Sequence, residues 1–218
     1  MKNQAGLTLF ETMVVLAIVG FVLASTISVN QLIERSTSKT LVREMQEVKH
    51  MLYAYRERYG AIPGDDTSAA KKITGATSAD EDLGGNALID GTDAWNMRSV
   101  SGISSKRENE LFWQHVRKAG LAKEEQYNLA HNAVGGILGI TSNDKIPTRP
   151  AGVPGLYNVC SSRISGTLAR SMDEEVDDGD ATTGVMWAAM ETEAVSVNTP
   201  TAPTPYVNEK RYTVCTAF

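Results

Sequence analysis

The most acidic stretch of the chain, DEEVDDGD at residues 173–180, is a candidate cation site. Carboxylate oxygens are ligands that calcium prefers. An EF-hand loop that began at Asp173 would need glycine where Asp178 stands and a bidentate glutamate where Gly184 stands. The stretch is therefore either a calcium loop of another kind or a solvated acidic loop around a turn at Gly179. The candidate ligands are Asp173, Glu175, Asp177, Asp178 and Asp180.

Cys160 and Cys215 are the only two cysteines of the chain. Two cysteines are too few to staple a small disulfide-rich protein, but they suit a single bridge in an oxidising compartment. A bridge between them would close a loop of 56 residues and would stabilise the fold by about 4 kcal/mol on the chain-entropy estimate. The alternative is a pair of unpaired, buried cysteines.

The histidines do not form a catalytic or metal centre by their spacing. His50, His115 and His131 have no carboxylate or thiol at the intervals that a metal site or a nucleophilic triad requires. The glycine run at 135–139 lacks the lysine and the spacing of a phosphate-binding loop. We therefore predict that the protein is not an enzyme, and we expect no cofactor apart from the calcium considered above.

The net charge of −5 is unevenly distributed along the 218 residues. Residues 31–59 carry six Lys and Arg against four Asp and Glu, whereas residues 61–218 carry 14 against 21. A mildly basic segment thus precedes an acidic body. This distribution disfavours a nucleic-acid-binding surface on the body.

Glu11 places a carboxylate near the start of a long apolar run. No formal charge occurs from Thr12 to Val29, and these residues are enough to cross a bilayer as a helix. Only Lys2 precedes the run, so the positive-inside rule keeps the amino terminus in the cytoplasm and exports the body. An ordinary secretory signal cleaved after Ala24 is the alternative, although Glu11 fits poorly into its apolar core.

The next segment has the spacing of an amphipathic helix that continues from the apolar run. Six residues recur at intervals of three and four, which places them on one helix face; they are Leu41, Met45, Val48, Leu52, Tyr55 and Tyr59. No proline interrupts residues 7–59, and Gly60, Pro63 and Gly64 predict the end of the helix. The apolar face packs either on the protein's own body alone or also between subunits.

Residues 61–218 have the pattern of an α+β head rich in loops. We expect the long helix to pack on a small antiparallel sheet with one short extra helix. That extra helix is predicted at 105–122, with a capping box of Ser105 and Glu108 and an end at Gly120. Short apolar runs bounded by turn residues predict the strands; they lie at 133–140, 155–161, 184–190 and 210–218. A Pro- and Thr-rich surface loop is predicted at 197–207.

The sequence GLTLFETMVVLAIVG, residues 6–20, resembles the processing signal of the type IV pilin and type II secretion pseudopilin family. In that signal a glycine, a hydrophobic residue, Thr-Leu, an aromatic residue or leucine, and a glutamate open a long apolar helix. The segment 55–66, YRERYGAIPGDD, is similar to the helix exit of these proteins. The resemblance implies that a prepilin peptidase cuts after Gly6 and methylates Leu7. It also implies that assembly depends on Glu11.

The resemblance further implies the domain organisation. Residues 1–6 would be a leader peptide, and residues 7–60 an amino-terminal helix with a membrane half and an amphipathic half. Residues 61–218 would be a periplasmic or extracellular head with a disulfide region near its carboxyl end. Pairing of Cys160 with Cys215 resembles the disulfide-bounded region of many pilins.

The function that the resemblance implies is a structural subunit of a type IV pilus or pilus-like filament. The protein would be a homo-oligomer in a helical filament, with the prepilin peptidase and an inner-membrane assembly platform as further partners and no nucleic acid. It would be a single-pass protein of the bacterial inner membrane before assembly, and part of a periplasmic or cell-surface filament afterwards. The alternative is a minor or tip pilin, or a secretion pseudopilin, that binds a surface or cargo.

Overall fold

The computed structural model divides the chain into two compact units, Met1–Ser36 and Thr37–Phe218. The layout is α+β, as the sequence predicts, with an amino-terminal helix, further helices and an antiparallel five-stranded sheet. The described backbone comprises residues 8–91, 107–123, 129–145, 147–192, 197 and 199–218, and the side chains of 23–31 are not described.

Helix α1, Leu9–Tyr59, begins in the first unit and ends in the second. In the first unit, its side chains from Leu9 to Val22 are exposed, although most of them are apolar. Among the described residues, no helix carries an apolar stretch of the length that a bilayer crossing needs. The crossing predicted at Thr12 to Val29 falls in part, at 23–29, on side chains outside the described set.

In the second unit, α1 buries the apolar face that the sequence predicts. Tyr59 at the end of this face is half-buried, and the other members are at most 2% exposed; they are Leu41, Met45, Val48, Leu52 and Tyr55. The first four belong to the same hydrophobic cluster as residues of the sheet. Full burial of one such side chain stabilises the fold by about 1.5–3 kcal/mol. The helix therefore packs on the protein's own head.

The sheet of the head has the strand order β1-β2-β3-β5-β4, and every neighbouring pair is antiparallel. The strands are β1 (Ala130–His131), β2 (Ile137–Thr141), β3 (Asn158–Ser165), β4 (Met186–Met190) and β5 (Arg211–Ala217). Each of the four predicted strand segments overlaps one of the strands β2 to β5. The first segment starts as a turn instead, since Gly135 has a φ of +77° that glycine adopts easily.

Three further helices belong to the head: α2 (Ala69–Lys72), α3 (Glu108–Lys118) and α4 (Gly166–Val176). The N-cap of α3 is Arg107, in extended backbone, and Ser105 lies outside the described residues. The predicted capping box is therefore wrong, because Glu108 is the first helical residue. Its carboxylate instead accepts a hydrogen bond from the backbone N–H of Asp90 at 2.7 Å.

Helix α4 was not expected from the sequence, because its last turn contains the first acids of the 173–180 stretch. Its N-cap Ser165 accepts a hydrogen bond from the N–H of Leu168 at 3.4 Å, and Ala169 and Met172 are buried. The interpretation of the whole stretch as a loop is thus wrong for residues 173–176, which are helical.

Cys160 of β3 and Cys215 of β5 lie directly opposite each other and are joined by a disulfide. The bridge that the sequence predicts is thus present in the structure. Both cysteines are buried among core residues. The bridge links β3 to β5 through two cysteines that are 55 residues apart in the chain.

We expect the double variant Cys160→Ser/Cys215→Ser to unfold more easily than the oxidised wild type. Opening a loop of this length removes about 4 kcal/mol from the free energy of unfolding on the chain-entropy estimate. Urea titration of the full chain, followed by circular dichroism, measures the difference, and the reduced wild type should match the variant. Equal urea midpoints for the oxidised wild type and the variant would contradict the expectation.

Candidate functional site

The carboxylate of Glu11 lies on the first turn of α1 and is hydrogen-bonded to Thr8. Its Oε2 accepts from the backbone N–H of Thr8 at 3.4 Å, and Thr8 Oγ1 accepts from the backbone N–H of Glu11 at 3.3 Å. This reciprocal arrangement is a capping box, which satisfies N–H groups at a helix start. The pattern T-x-x-E at 8–11 could have indicated it. The processing residues predicted beside it, Gly6 and Leu7, lie outside the described residues.

The capping box leaves the charge of Glu11 largely uncompensated. A helix amino terminus supplies only about half of an elementary positive charge. The sequence contains no Lys, Arg or His between Lys2 and Arg35. Along α1, the first basic residue after Glu11 is therefore Arg35.

The comparison with protein families bears on this same segment. Residues 1–27 match the prokaryotic N-terminal methylation motif, the signature of type IV pilins and pseudopilins. The chain carries the amino-terminal signature shared by pilins and pseudopilins. The match includes Gly6, Leu7 and Glu11, and it confirms the resemblance seen in the sequence. The chain matches no curated protein and no solved structure.

Three carboxylates of the acidic stretch converge in the head. One oxygen of each of Asp173, Asp177 and Asp178 lies within 4.8 Å of the others. Asp173 is fully buried, and both of its oxygens have donors. Its Oδ2 accepts from the hydroxyl of Tyr206 at 2.6 Å, and its Oδ1 accepts from the N–H of Gly179 at 2.9 Å.

The two exposed carboxylates of this group are also engaged. Asp177 accepts hydrogen bonds from two backbone N–H groups at residues 185 and 186. Asp178 accepts from the hydroxyl of Thr183 at 2.6 Å, and this bond lowers the pKa of its carboxyl below the usual value. These carboxylates shape the turn after α4 by binding its own N–H and hydroxyl groups.

The two remaining candidate ligands have other partners. Glu175 accepts a hydrogen bond from the hydroxyl of Ser38 at 3.4 Å, which links α4 to α1. Asp180 accepts from the N–H and the hydroxyl of Thr182 at 2.9 and 2.7 Å. The structure thus brings together three of the five predicted ligands and leaves Glu175 and Asp180 outside the cluster.

The buried carboxylate of Asp66 links the carboxyl-terminal end of α1 to the segment that follows it. It accepts from the hydroxyl of Tyr55 at 3.0 Å, from the N–H of Ser68 at 2.9 Å and from Lys72 Nζ at 3.0 Å. Burial alone would raise the pKa of Asp66, but the bonds from Lys72, Ser68 and Tyr55 outweigh burial and lower the pKa. The sequence analysis did not single out Asp66, although an Asp-Asp pair directly follows Pro63-Gly64, where the chain leaves α1.

His115 is a neutral side chain that contacts the same end of α1 and the segment after it. Its Nδ1 accepts from the N–H of Gly64 at 2.9 Å, so the proton is on Nε2, which lies 2.6 Å from the carbonyl oxygen of Thr77. Its ring stacks on that of Tyr55, with 5.8 Å between centroids. Burial lowers the pKa of His115. Both ring nitrogens are used, so the side chain holds the junction together.

We expect the head to lose stability as the pH falls below about 6.5, and we expect His115→Gln to reduce this loss. The unfolded chain takes up the imidazole proton first, because the pKa of His115 is lower in the folded state. The stability that the neutral ring provides is complete above the unfolded pKa and is lost as the pH falls toward the folded one. Urea titrations at several pH values measure this loss of stability. The expectation would be refuted if the free energy of unfolding depended equally on pH in the wild type, the variant and an exposed control, His50→Gln.

Proposed function

We propose that the protein is a structural subunit of a type IV pilus or pilus-like filament that assembles through α1. The observation that carries the proposal is the methylation motif matched at residues 1–27. Two properties of α1 support it. The described apolar side chains at 9–22 are exposed, whereas the apolar face at 41–55 is buried in the head. One half of the helix is thus suited to a filament core, and the other half holds the head.

In this proposal, a prepilin peptidase cuts the precursor between Gly6 and Leu7 and methylates the new amino terminus. Before that step, the segment from Thr12 to Val29 anchors the chain in the bacterial inner membrane, with Lys2 on the cytoplasmic side. The head is then outside the cytoplasm, where a disulfide persists. An inner-membrane assembly platform moves the processed subunit into the filament.

The charge of Glu11 explains how subunits recognise each other in this proposal. A charged group near the membrane centre costs on the order of 3 kcal/mol on insertion scales, and a filament core has no headgroup layer to relieve it. Cleavage removes Lys2 but creates a positive amine on Leu7, four residues before Glu11. We infer that the amine of an incoming subunit pairs with Glu11 of a neighbour. This pairing sets the axial register of the helices.

A second candidate is a minor or tip pilin, or a secretion pseudopilin, whose head binds a surface or cargo. The feature that favours it is a cleft of about 630 Å³ at the exit of α1. Its walls include Tyr53, Arg56, Tyr157 and Phe218. Tyrosine and arginine are enriched where proteins bind each other. Abundance in sheared surface filaments separates this candidate from a major structural subunit.

We expect Glu11→Ala and Glu11→Gln to be inserted and cleaved, but to be largely absent from filaments. Both variants lose the charge that pairs with the amine of a neighbouring subunit. The Gly6→Val precursor should not be cleaved and should therefore remain in the inner membrane. The measurement is the amount of processed subunit in the membrane and in the sheared-filament fraction for each variant.

Glu11→Gln also separates the charge from the capping box, because Gln can replace Glu in that motif. If Glu11→Gln assembles as the wild type does, charge pairing is refuted and helix capping is the role of Glu11. Thr8→Ala is the matched control. It removes the capping partner of Glu11 but keeps the charge, so it should still enter filaments.

A further inference from the structure

The cleft at the exit of α1 has one wall of aromatic and apolar side chains that are partly exposed. Tyr53 of α1 is 44% exposed, and Leu156 is 48% exposed. The ring of Phe218 contacts those of Tyr53 and Tyr157, with 6.1 and 5.7 Å between centroids. Lys49 Nζ lies 5.3 Å from the centroid of the Phe218 ring, at the rim. This wall offers apolar surface that a partner can cover.

Arg56 supplies the charge of the cleft that is open to a ligand. The carboxylate of Asp65, in another wall, accepts hydrogen bonds from three successive N–H groups at residues 85–87. The carboxylate of Asp66 is paired with Lys72 Nζ at 3.0 Å. Arg56 is exposed, and its guanidinium has no hydrogen bond or ion pair among the described residues. A guanidinium of this kind binds carboxylates through two parallel hydrogen bonds.

The turn after α4 carries the complementary groups on its surface. Asp177 and Asp178 are exposed, and so is Val185, whose exposed fraction is 42%. The carboxylate of Asp177 accepts from the N–H of Val185, so an acid and an apolar side chain lie side by side. Hydrogen bonds within the turn fix these carboxylates without removing their negative charge. The turn therefore presents carboxylates next to a valine.

The cleft and the turn are different surfaces of the head, because no residue of the turn lines the cleft. A contact between two copies that uses different surfaces is heterologous and continues from one copy to the next as a filament. The distribution of charge favours such a contact. Residues 31–59 carry six basic residues against four acidic ones, whereas residues 61–218 carry 14 against 21. The α1 side of one copy is thus attracted to the acidic body of another.

We propose that the turn 177–185 of one subunit docks into the cleft of a neighbouring subunit. Arg56 binds the carboxylates of the turn, and the rings of Tyr53 and Phe218 cover Val185. The inference rests on the proposed filament function and adds a contact between heads to the contacts of α1. It also assigns to a neighbouring subunit the cleft that would bind cargo in a minor pilin.

A cargo peptide with a carboxylate beside an apolar side chain is the alternative occupant of the cleft. Within a filament, however, neighbouring heads are held close together. A segment of the same chain therefore meets the cleft at a much higher effective concentration than a free cargo does. This difference favours the turn of a neighbour as the occupant.

The first test is cross-linking of the full chain in cells. Cys160 and Cys215 are the only cysteines and are joined, so introduced cysteines are the only free thiols. Thr67→Cys in the cleft wall and Thr182→Cys in the turn leave the proposed contacts intact. A short bismaleimide should join the double variant into a ladder of dimers, trimers and longer species in sheared filaments. The control Lys210→Cys/Thr182→Cys should stay monomeric, because Lys210 lies at the end of β5 away from Phe218.

The second test is charge reversal, with the share of processed subunit in sheared filaments as the measurement. Arg56→Glu should lower this share about fivefold or more, because it brings like charges together across the contact. Its amount in the membrane should equal that of the wild type, which shows that the head still folds. Adding Asp178→Arg to Arg56→Glu should restore assembly. The matched control, Lys210→Glu, also reverses an exposed positive charge and should assemble as the wild type does.

The outcomes separate this contact from the filament function itself. Absence of the wild type from filaments would refute both. Filaments of the wild type together with no ladder from Thr67→Cys/Thr182→Cys, or with full assembly of Arg56→Glu, would refute the contact alone. A single variant Thr67→Cys that is cross-linked to a different protein would place a cargo in the cleft and would also overturn the proposal.

Discussion

The head of this protein depends on the burial of one face of α1. Five large side chains of that face are almost fully buried, and each stabilises the fold by about 1.5–3 kcal/mol. Their sum is comparable to the whole free energy of unfolding of a typical domain, which is about 5–15 kcal/mol. The second half of α1 is thus part of the head's core. A filament that binds the first half of this helix also carries the head.

Three carboxylates in the chain differ in how far their negative charge is compensated by neighbouring groups. Asp66 is buried and is compensated within the chain by Lys72, Ser68 and Tyr55. Glu11 has a helix cap but no cation in its own segment. Glu108 has one buried oxygen without a hydrogen-bond donor among the described residues. Asp66 is therefore structural, whereas the proposed role of Glu11 rests on a positive partner from a neighbouring subunit.

The long helix and four of the strands could be predicted because their signals are local. A spacing of three and four residues indicated the buried face from Leu41 to Tyr55, and short apolar runs between turn residues indicated the strands. Helix α4 was missed because its acids suggested a loop, although Leu168, Ala169, Met172 and Val176 have helical spacing. Strand β1 has only two residues. The burial of Glu108 could not be predicted, because it depends on a segment that lies far away in sequence.

The proposed function depends on processing at Gly6, which can be checked from the mass and the amino-terminal sequence of the mature protein. Filaments sheared from cells are dissolved, and the intact chain is measured by mass spectrometry. We expect a chain that begins at Leu7, carries one methyl group on its amine and retains the disulfide between Cys160 and Cys215. A mature chain that begins at Met1 or at Ser25 would contradict it.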